Sequence, residues 1–183
     1  MKKTQLILLL LLSAICIQSC KKDVITSAST TSDKILSANI NGTAWNPDTV
    51  SAAITYNAAT KTKTFSVVGI ALQKQVSLSV AVPNSTNTTG FPFATFKVDS
   101  TKNNVKMVYS TQALIGGSFT PAPGKVEGSV ITTAIDSVKK VITGTYSFSV
   151  RQLSTDINGN ESITTQQIQS GSFTNLPYTF VSN

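Results

Sequence analysis

Apolar side chains recur at every second position through most of the chain after residue 35, and this period constrains the fold more than any other feature. Val76, Leu78, Val80 and Val82 alternate with small or polar residues, and a similar run extends from Ile142 to Val150. A period of two places one set of side chains on a core and the other toward water, as in a half-buried β-strand. No stretch after the first twenty residues shows the apolar stripe and caps of an amphipathic helix. The pattern predicts strands at 35–41, 43–46, 50–56, 63–71, 75–82, 93–98, 104–111, 125–135, 141–151, 162–168 and 171–175.

Turn signals separate these runs at short intervals, which favours an all-β fold, either an antiparallel β-sandwich or a partly open barrel. Asn41-Gly42 is the strongest hairpin signal, because both residue types tolerate the two positive φ angles of a type I′ turn. The polar residues 136–140 are predicted to connect two strands, and the proline-rich segment 121–124 cannot belong to a central strand. We find no internal repeat, so residues 35–183 are predicted to form a single all-β domain.

The first twenty residues have the pattern of an export signal. Lys2 and Lys3 precede an apolar stretch of about ten residues, which is the length of a signal-peptide core and too short to span a bilayer. The segment 17–20, Ile-Gln-Ser-Cys, has the aliphatic residue, the small residue and the cysteine of a lipobox. We therefore predict a lipoprotein signal peptide at 1–19 and a lipid on Cys20. The alternative is an ordinary secretory signal that leaves Cys20 unmodified.

Residues 20–34 are predicted to form the lipidated cysteine and a flexible tether. The segment after Cys20 is rich in Ser, Thr and charged side chains, which offer few groups to bury. Acyl chains on the cysteine would hold the protein firmly in a membrane, since each buried methylene contributes roughly 0.8 kcal/mol. The membrane is thus the predicted partner through the lipid anchor.

The charge balance is basic, with 15 Lys and Arg against 8 Asp and Glu. Such a balance can indicate nucleic acid or an anionic membrane surface. The lysines, however, are scattered along the chain, and only Arg151 could bind a phosphate with a planar fork of donors. We therefore predict no nucleic-acid partner and interpret the lysines of the domain as solvated groups on loops and strand edges: Lys61, Lys63, Lys74, Lys97, Lys102, Lys106, Lys125, Lys139 and Lys140.

The absence of histidine excludes several kinds of chemistry. The sequence contains no His and only two cysteines, Cys16 and Cys20, of which cleavage would leave Cys20 alone. Ser-His-Asp and Cys-His catalytic groups, and zinc sites built on Cys and His, are therefore excluded. No glycine-rich phosphate-binding motif is present either. We predict a protein that is not an enzyme and holds no cofactor; the enzyme alternative needs Glu127 and a second carboxylate in one cleft.

A polar loop offers the best candidate for a metal site. Asp156, Asn158, Asn160 and Glu161 place oxygen ligands at short spacing around Gly159, and oxygen ligands suit Ca²⁺. The spacing differs from that of an EF-hand loop, in which the glycine is sixth and the bidentate glutamate twelfth. The alternative is a hairpin turn. We predict no metal site, and this loop is the one Ca²⁺ candidate that the sequence offers.

Aromatic residues are weak candidates for ligand binding. Trp45, Tyr109 and Tyr178 could stack on sugars or bind a peptide if their rings were exposed, and they would otherwise fill the core. A third possibility is a lipocalin-like barrel that carries an apolar ligand, with a cavity lined by residues such as Val80, Tyr146 and Phe148.

Four short segments carry a resemblance to a known group of proteins. They are SCKKD at 19–23, ANINGTAW at 38–45, GTYSF at 144–148 and SGSFTNLPY at 170–178. They resemble small lipoproteins of Bacteroidota that carry an uncharacterised all-β domain. The resemblance covers most of residues 35–180 and implies an outer-membrane lipoprotein with a β-sandwich or barrel-like domain. It carries no activity or functional residues. Lys21-Lys22-Asp23 is similar to surface-export signals of that phylum, so the periplasmic and external faces are both open.

These observations lead to one principal hypothesis and two alternatives. The principal hypothesis is an outer-membrane lipoprotein that acts as a non-catalytic binding or structural module, with a glycan or a protein as its possible ligand. The alternatives are a glycan-binding accessory module that uses Trp45 and the barrel that carries an apolar ligand.

Overall fold

The computed structural model describes residues 34–183. The predicted signal peptide 1–19, Cys20 and nearly all of the predicted tether 20–34 lie outside these residues. Twelve β-strands, and no helix, lie in the described part of the chain. They are β1 (Leu36–Ile40), β2 (Thr43–Trp45), β3 (Thr49–Asn57), β4 (Thr62–Ala71), β5 (Lys74–Val82), β6 (Thr95–Lys97), β7 (Val105–Thr111), β8 (Thr120–Pro121), β9 (Lys125–Asp136), β10 (Val141–Thr155), β11 (Glu161–Pro177) and β12 (Thr179–Ser182).

The strands form two six-stranded sheets that pack face to face as a sandwich. The first sheet has the order β2-β1-β11-β10-β9-β6, and the second has the order β12-β3-β4-β5-β7-β8. Every pairing is antiparallel except that of β12 with β3, which is parallel. The predicted sandwich is therefore confirmed, and the barrel alternative is wrong because the two sheets do not close on each other. The predicted strands 162–168 and 171–175 are one continuous strand, β11.

Two predicted turns have the expected geometry. Asn41 and Gly42 have φ angles of 52° and 81°, and Ile40 pairs with Thr43, so the hairpin has the two positive φ angles of a type I′ turn. At the end of β9, the Asp136 carboxylate accepts hydrogen bonds from the amides of Val138 and Lys139 at 3.0 and 2.8 Å. Both turns thus close hairpins through local interactions that the sequence encodes.

Aromatic rings join the two sheets in the core. The ring of Phe65 in the second sheet lies 5.7 Å from that of Phe173 in the first, centroid to centroid, and 5.5 Å from that of Phe91. Both pairs are tilted, as aromatic pairs prefer. The fully buried residues around them come from both sheets: Ile40, Ile54, Val67, Val76, Val80, Val130, Ile142, Ile168 and Leu176. Alternation along the strands therefore brings both apolar faces into one core.

Glycines in the first sheet make room for aromatic rings on neighbouring strands. Tyr146 pairs with Gly171 across β10 and β11, and a Cβ atom added to Gly171 would lie 2.6 Å from three atoms of the tyrosine ring. The ring crosses β11 over this glycine, and its hydroxyl donates to the Ser37 carbonyl oxygen on β1 at 3.1 Å. Burial raises the pKa of the Tyr146 phenol. Gly144 makes similar room for the ring of Phe173, which a Cβ would approach to 2.4 Å.

One lysine lies inside the sandwich, so the prediction that all these lysines are solvated is wrong for Lys63. Its side chain points to the same face of β4 as Phe65 and is only 3% exposed as a residue. The ammonium donates to the Thr88 hydroxyl at 2.9 Å and to the Gly90 carbonyl oxygen at 2.7 Å, which ties the loop after β5 to the core. Burial lowers the pKa of Lys63, because loss of water disfavours the charged ammonium. No carboxylate in the described residues forms an ion pair with it that would oppose this effect.

Replacing Gly171 by alanine tests the contact with Tyr146. We expect Gly171→Ala to lower the free energy of unfolding by about 1–3 kcal/mol, because the new methyl group would overlap the ring. Gly90→Ala is the matched control, since a Cβ there meets nothing within 4 Å and its φ is not positive. Urea denaturation of both variants measures the difference. Equal midpoints for the two variants would contradict the contact.

The pH dependence of stability tests the burial of Lys63. Its folded pKa is lowered, so the unfolded chain binds more protons than the folded one between that lowered value and about 10.4. The free energy of unfolding of the wild type, relative to that of Lys63→Met, should therefore rise with pH through this window. Denaturant titrations at several pH values measure it, and the comparison cancels the ionisation of the tyrosines. A flat or falling difference would contradict the burial.

Candidate functional site

The three aromatic candidates are buried in the core. Trp45, Tyr109 and Tyr178 are 3%, 5% and 5% exposed. The indole of Trp45 donates to the Ala71 carbonyl oxygen at 3.4 Å, and the hydroxyl of Tyr178 donates to the Thr89 carbonyl oxygen at 2.8 Å. The expectation that these rings could offer an exposed binding platform is therefore corrected, since the period of two directs them between the sheets. The apolar carrier is corrected too: Val80, Tyr146 and Phe148 are core residues of an open sandwich.

The polar loop at 156–161 forms the turn between β10 and β11. One oxygen of Asp156 accepts backbone hydrogen bonds from Asn158 and Asn160, both at 2.8 Å, and the other accepts from the Asn160 side chain at 2.9 Å. These bonds, of which that from the Asn160 side chain has the largest effect, lower the pKa of Asp156. Glu161 is exposed and pairs with Thr155 at the start of β11. Both Asp156 oxygens thus have protein donors in the turn.

Glu127 lies on the outer face of the first sheet beside basic groups. Its carboxylate is 2.9 Å from the Lys125 ammonium, and the hydrogen bond and charge of Lys125 lower the pKa of Glu127. The shallow depression next to it is lined by Ser147, Ser149, Gln167 and Gln169, with no second acid. Within residues 34–183, no three side chains of His, Cys, Asp and Glu come close enough to hold a metal ion. Glu127 is thus the only acid that lines this depression.

Several small hydroxyl side chains lie close together on the same outer face. A row of paired residues crosses four strands of the first sheet: Ile131, Thr145, Ser172 and Ser37. A second depression of about 300 Å³ lies on this row, and Ser147 lines it as well as the depression beside Glu127. Ser170, at φ 50°, forms a β-bulge in β11 at its rim. These groups can donate and accept hydrogen bonds, and no carboxylate, lysine or histidine lines this second depression.

A further groove lies at the edge of the second sheet, where sequence reasoning placed no site. It has a volume of about 440 Å³ and is lined by residues of β3 and β4 and by the segment that enters β12: Val50, Ser51, Ala52, Ala53, Ser66, Val68, Pro177, Tyr178 and Thr179. No charged side chain lines it. The sequence predicted β3 and β4 but missed β12, so it gave no signal of a groove beside that strand.

No helix in residues 34–183 has the length and apolar character needed to cross a membrane.

Comparison of the sequence with models of known protein families identifies a family for the chain. No curated protein matches the chain, and no solved structure matches it. The model of a domain of unknown function, DUF6252, matches residues 32–177, which include every strand from β1 to β11. The match covers most of the chain, and the chain therefore belongs to the DUF6252 family.

Proposed function

We propose that this chain is a lipid-anchored, non-catalytic binding module of the bacterial outer membrane. The main support for the anchor is the segment 17–20. It follows an apolar leader and places a small residue, Ser19, directly before Cys20. The Ser- and Thr-rich segment that follows is suited to a tether. The likeness of SCKKD and ANINGTAW to lipoproteins of Bacteroidota supports this location. The module would lie at the periplasmic or the external face.

The arrangement of the titratable groups supports a binding role over a catalytic one. Asp136 and Asp156 are engaged by turn amides, and Glu127 is paired with Lys125. Lys63 donates two hydrogen bonds inside the sandwich. These contacts stabilise the charged forms of the acids, whereas a general acid needs a raised pKa. Turnover of a glycan, ester or peptide substrate by the purified chain would contradict the proposal.

Metabolic labelling with radioactive palmitate tests the anchor. The wild-type chain, expressed in a Gram-negative host, should incorporate the label, and Cys20→Ser should not, because the thioether forms at that sulfur. Cys16→Ser is the matched control and should keep the label, since Ile15 before it is too bulky for the cleavage position. A labelled Cys20→Ser variant, or an unlabelled wild type, would contradict the lipid anchor.

A glycan is a second candidate ligand, favoured by the two polar depressions that share Ser147, in which the one charged lining residue, Glu127, is paired with Lys125. Their hydroxyl and amide groups match the donors and acceptors of an uncharged sugar chain. Stacking on Trp45 has no part in this candidate, because its ring is buried.

Affinity electrophoresis against neutral polysaccharides tests this second candidate. Ser147→Lys would place a long charged side chain between the two depressions and should abolish retardation of the chain in the gel. Thr133→Lys is the control, because Thr133 is exposed on the neighbouring strand and lines neither depression. Equal retardation of the two variants, or none for the wild type, would contradict glycan binding at this face.

A further inference from the structure

Within residues 34–183, no strand pairs with one half of an edge strand in the second sheet. β3 pairs with β4 along its whole length, from Thr49 to Asn57. On its other side, β12 pairs only with Ala53–Tyr56. Thr49–Ala52 therefore has a free edge, and this part of the strand carries neither proline nor a charged side chain. Such residues are the usual protection of an exposed edge against pairing with another chain.

Hydrogen bonds around β12 show which backbone groups point to this edge. The Asn183 amide donates to the Tyr56 carbonyl oxygen at 2.9 Å, and the Thr179 hydroxyl donates to the Ala52 carbonyl oxygen at 3.5 Å. Backbone groups of a strand alternate between its two sides, so even-numbered residues of β3 face β12. The amide and carbonyl of Val50 and the amide of Ala52 thus point to the free edge.

The groove at this edge has the composition and position that suit a short strand. Its wall consists of small or apolar side chains of β3 and β4, and Pro177 and Thr179 close one end. The chain reaches β12 from the first sheet, since Pro177 pairs with Val141 of β10. The space beside Thr49–Ala52, which comes before the pairing of Thr179 with Ala53, is therefore left without a strand in residues 34–183. β12 itself shows that this edge accepts a strand in parallel orientation.

We infer that the free edge of β3 at Thr49–Ala52 binds an extended, uncharged peptide segment of a partner protein by strand addition. Main-chain hydrogen bonds to Val50 and Ala52 supply the affinity, and the groove selects small or β-branched side chains at alternate positions of the peptide. This inference rests on the binding role proposed above and names its partner, but it does not depend on the lipid on Cys20.

A peptide that carries fluorescein on its N-terminal nitrogen in place of an acetyl group, fluorescein-Thr-Val-Thr-Val-Thr-amide, is a suitable probe for the full chain in detergent micelles. Fluorescence anisotropy should show saturable binding, and hydrogen exchange should slow at the amides of Val50 and Ala52. Val50→Pro removes the edge-facing amide without removing a bond to β4, and it should weaken binding roughly tenfold. Val50→Thr keeps both the backbone amide and the β-branched shape, and it should bind as the wild type does.

A second measurement keeps the inference testable if Val50→Pro does not fold. The same peptide, N-methylated at all five residues, has no residue amide left to donate to the edge and should bind the wild type at least roughly tenfold more weakly. Equal binding of the two peptides, or no protection at Val50 and Ala52, would overturn the inference. A chain that dimerises through this edge and excludes the peptide would also overturn it, in favour of a second copy. Palmitate labelling stays a separate test, since a failed anchor would leave the peptide result unchanged.

Discussion

The contact between Tyr146 and Gly171 joins three neighbouring strands of the first sheet. The ring starts on β10, lies over the glycine of β11 and ends in a hydrogen bond to the Ser37 carbonyl oxygen of β1. It can take this path only because position 171 has no side chain. A slip of β11 by one residue would put Ser172 or Ser170 under the ring and would also turn the apolar side chains of the strand toward water. The pair therefore fixes the register of β11 against β10 and determines which side chains of β11 face the core.

The remaining surfaces of the domain follow from this register. Once Tyr146 faces inward, Thr145 and Ser147 face outward, where Thr145 pairs with Ser172 of β11 and Ser147 pairs with Ser129 of β9. The bulge at Ser170 absorbs one of the two residues by which β11 exceeds β10, so that Ile168 and Phe173 both face the core. Phe173 then reaches Phe65 in the opposite sheet. The register set by this one contact thus decides which side chains enter the core, which rings meet between the sheets and which hydroxyl groups lie on the outer face.

Much of the fold could be predicted because it depends on local patterns. Period-two alternation located the long strands, and Asn41-Gly42 specified its own turn through positive φ angles. β12 was missed because its pairing with β3 is parallel and distant in sequence, and Phe180 alone among its residues is partly buried. Lys63 was misplaced because residue type outweighed its position, two residues before Phe65 on the inward face. Alternation alone would have placed it inside.

The candidate sites were harder to predict, since they depend on which strands become neighbours. Trp45 ends β2 of the β1–β2 hairpin, and its contacts with Ala71 and Gly69 of β4 arise only when the two sheets pack together. The groove at the edge of β3 exists because β12 pairs with only part of that strand. Neither arrangement has a local signal. The exclusion of histidine and cysteine chemistry was, in contrast, available from composition.

Hydrogen exchange of the native chain tests most directly whether the Tyr146–Gly171 contact holds the structure together. Amides in the most stable cooperative unit of a protein exchange only on global unfolding. The account predicts that the slowest amides lie in β10 and β11 around Tyr146, Phe148 and Ser172. Slowest exchange in β4 and β5, with the centre of the first sheet exchanging through local opening, would contradict it.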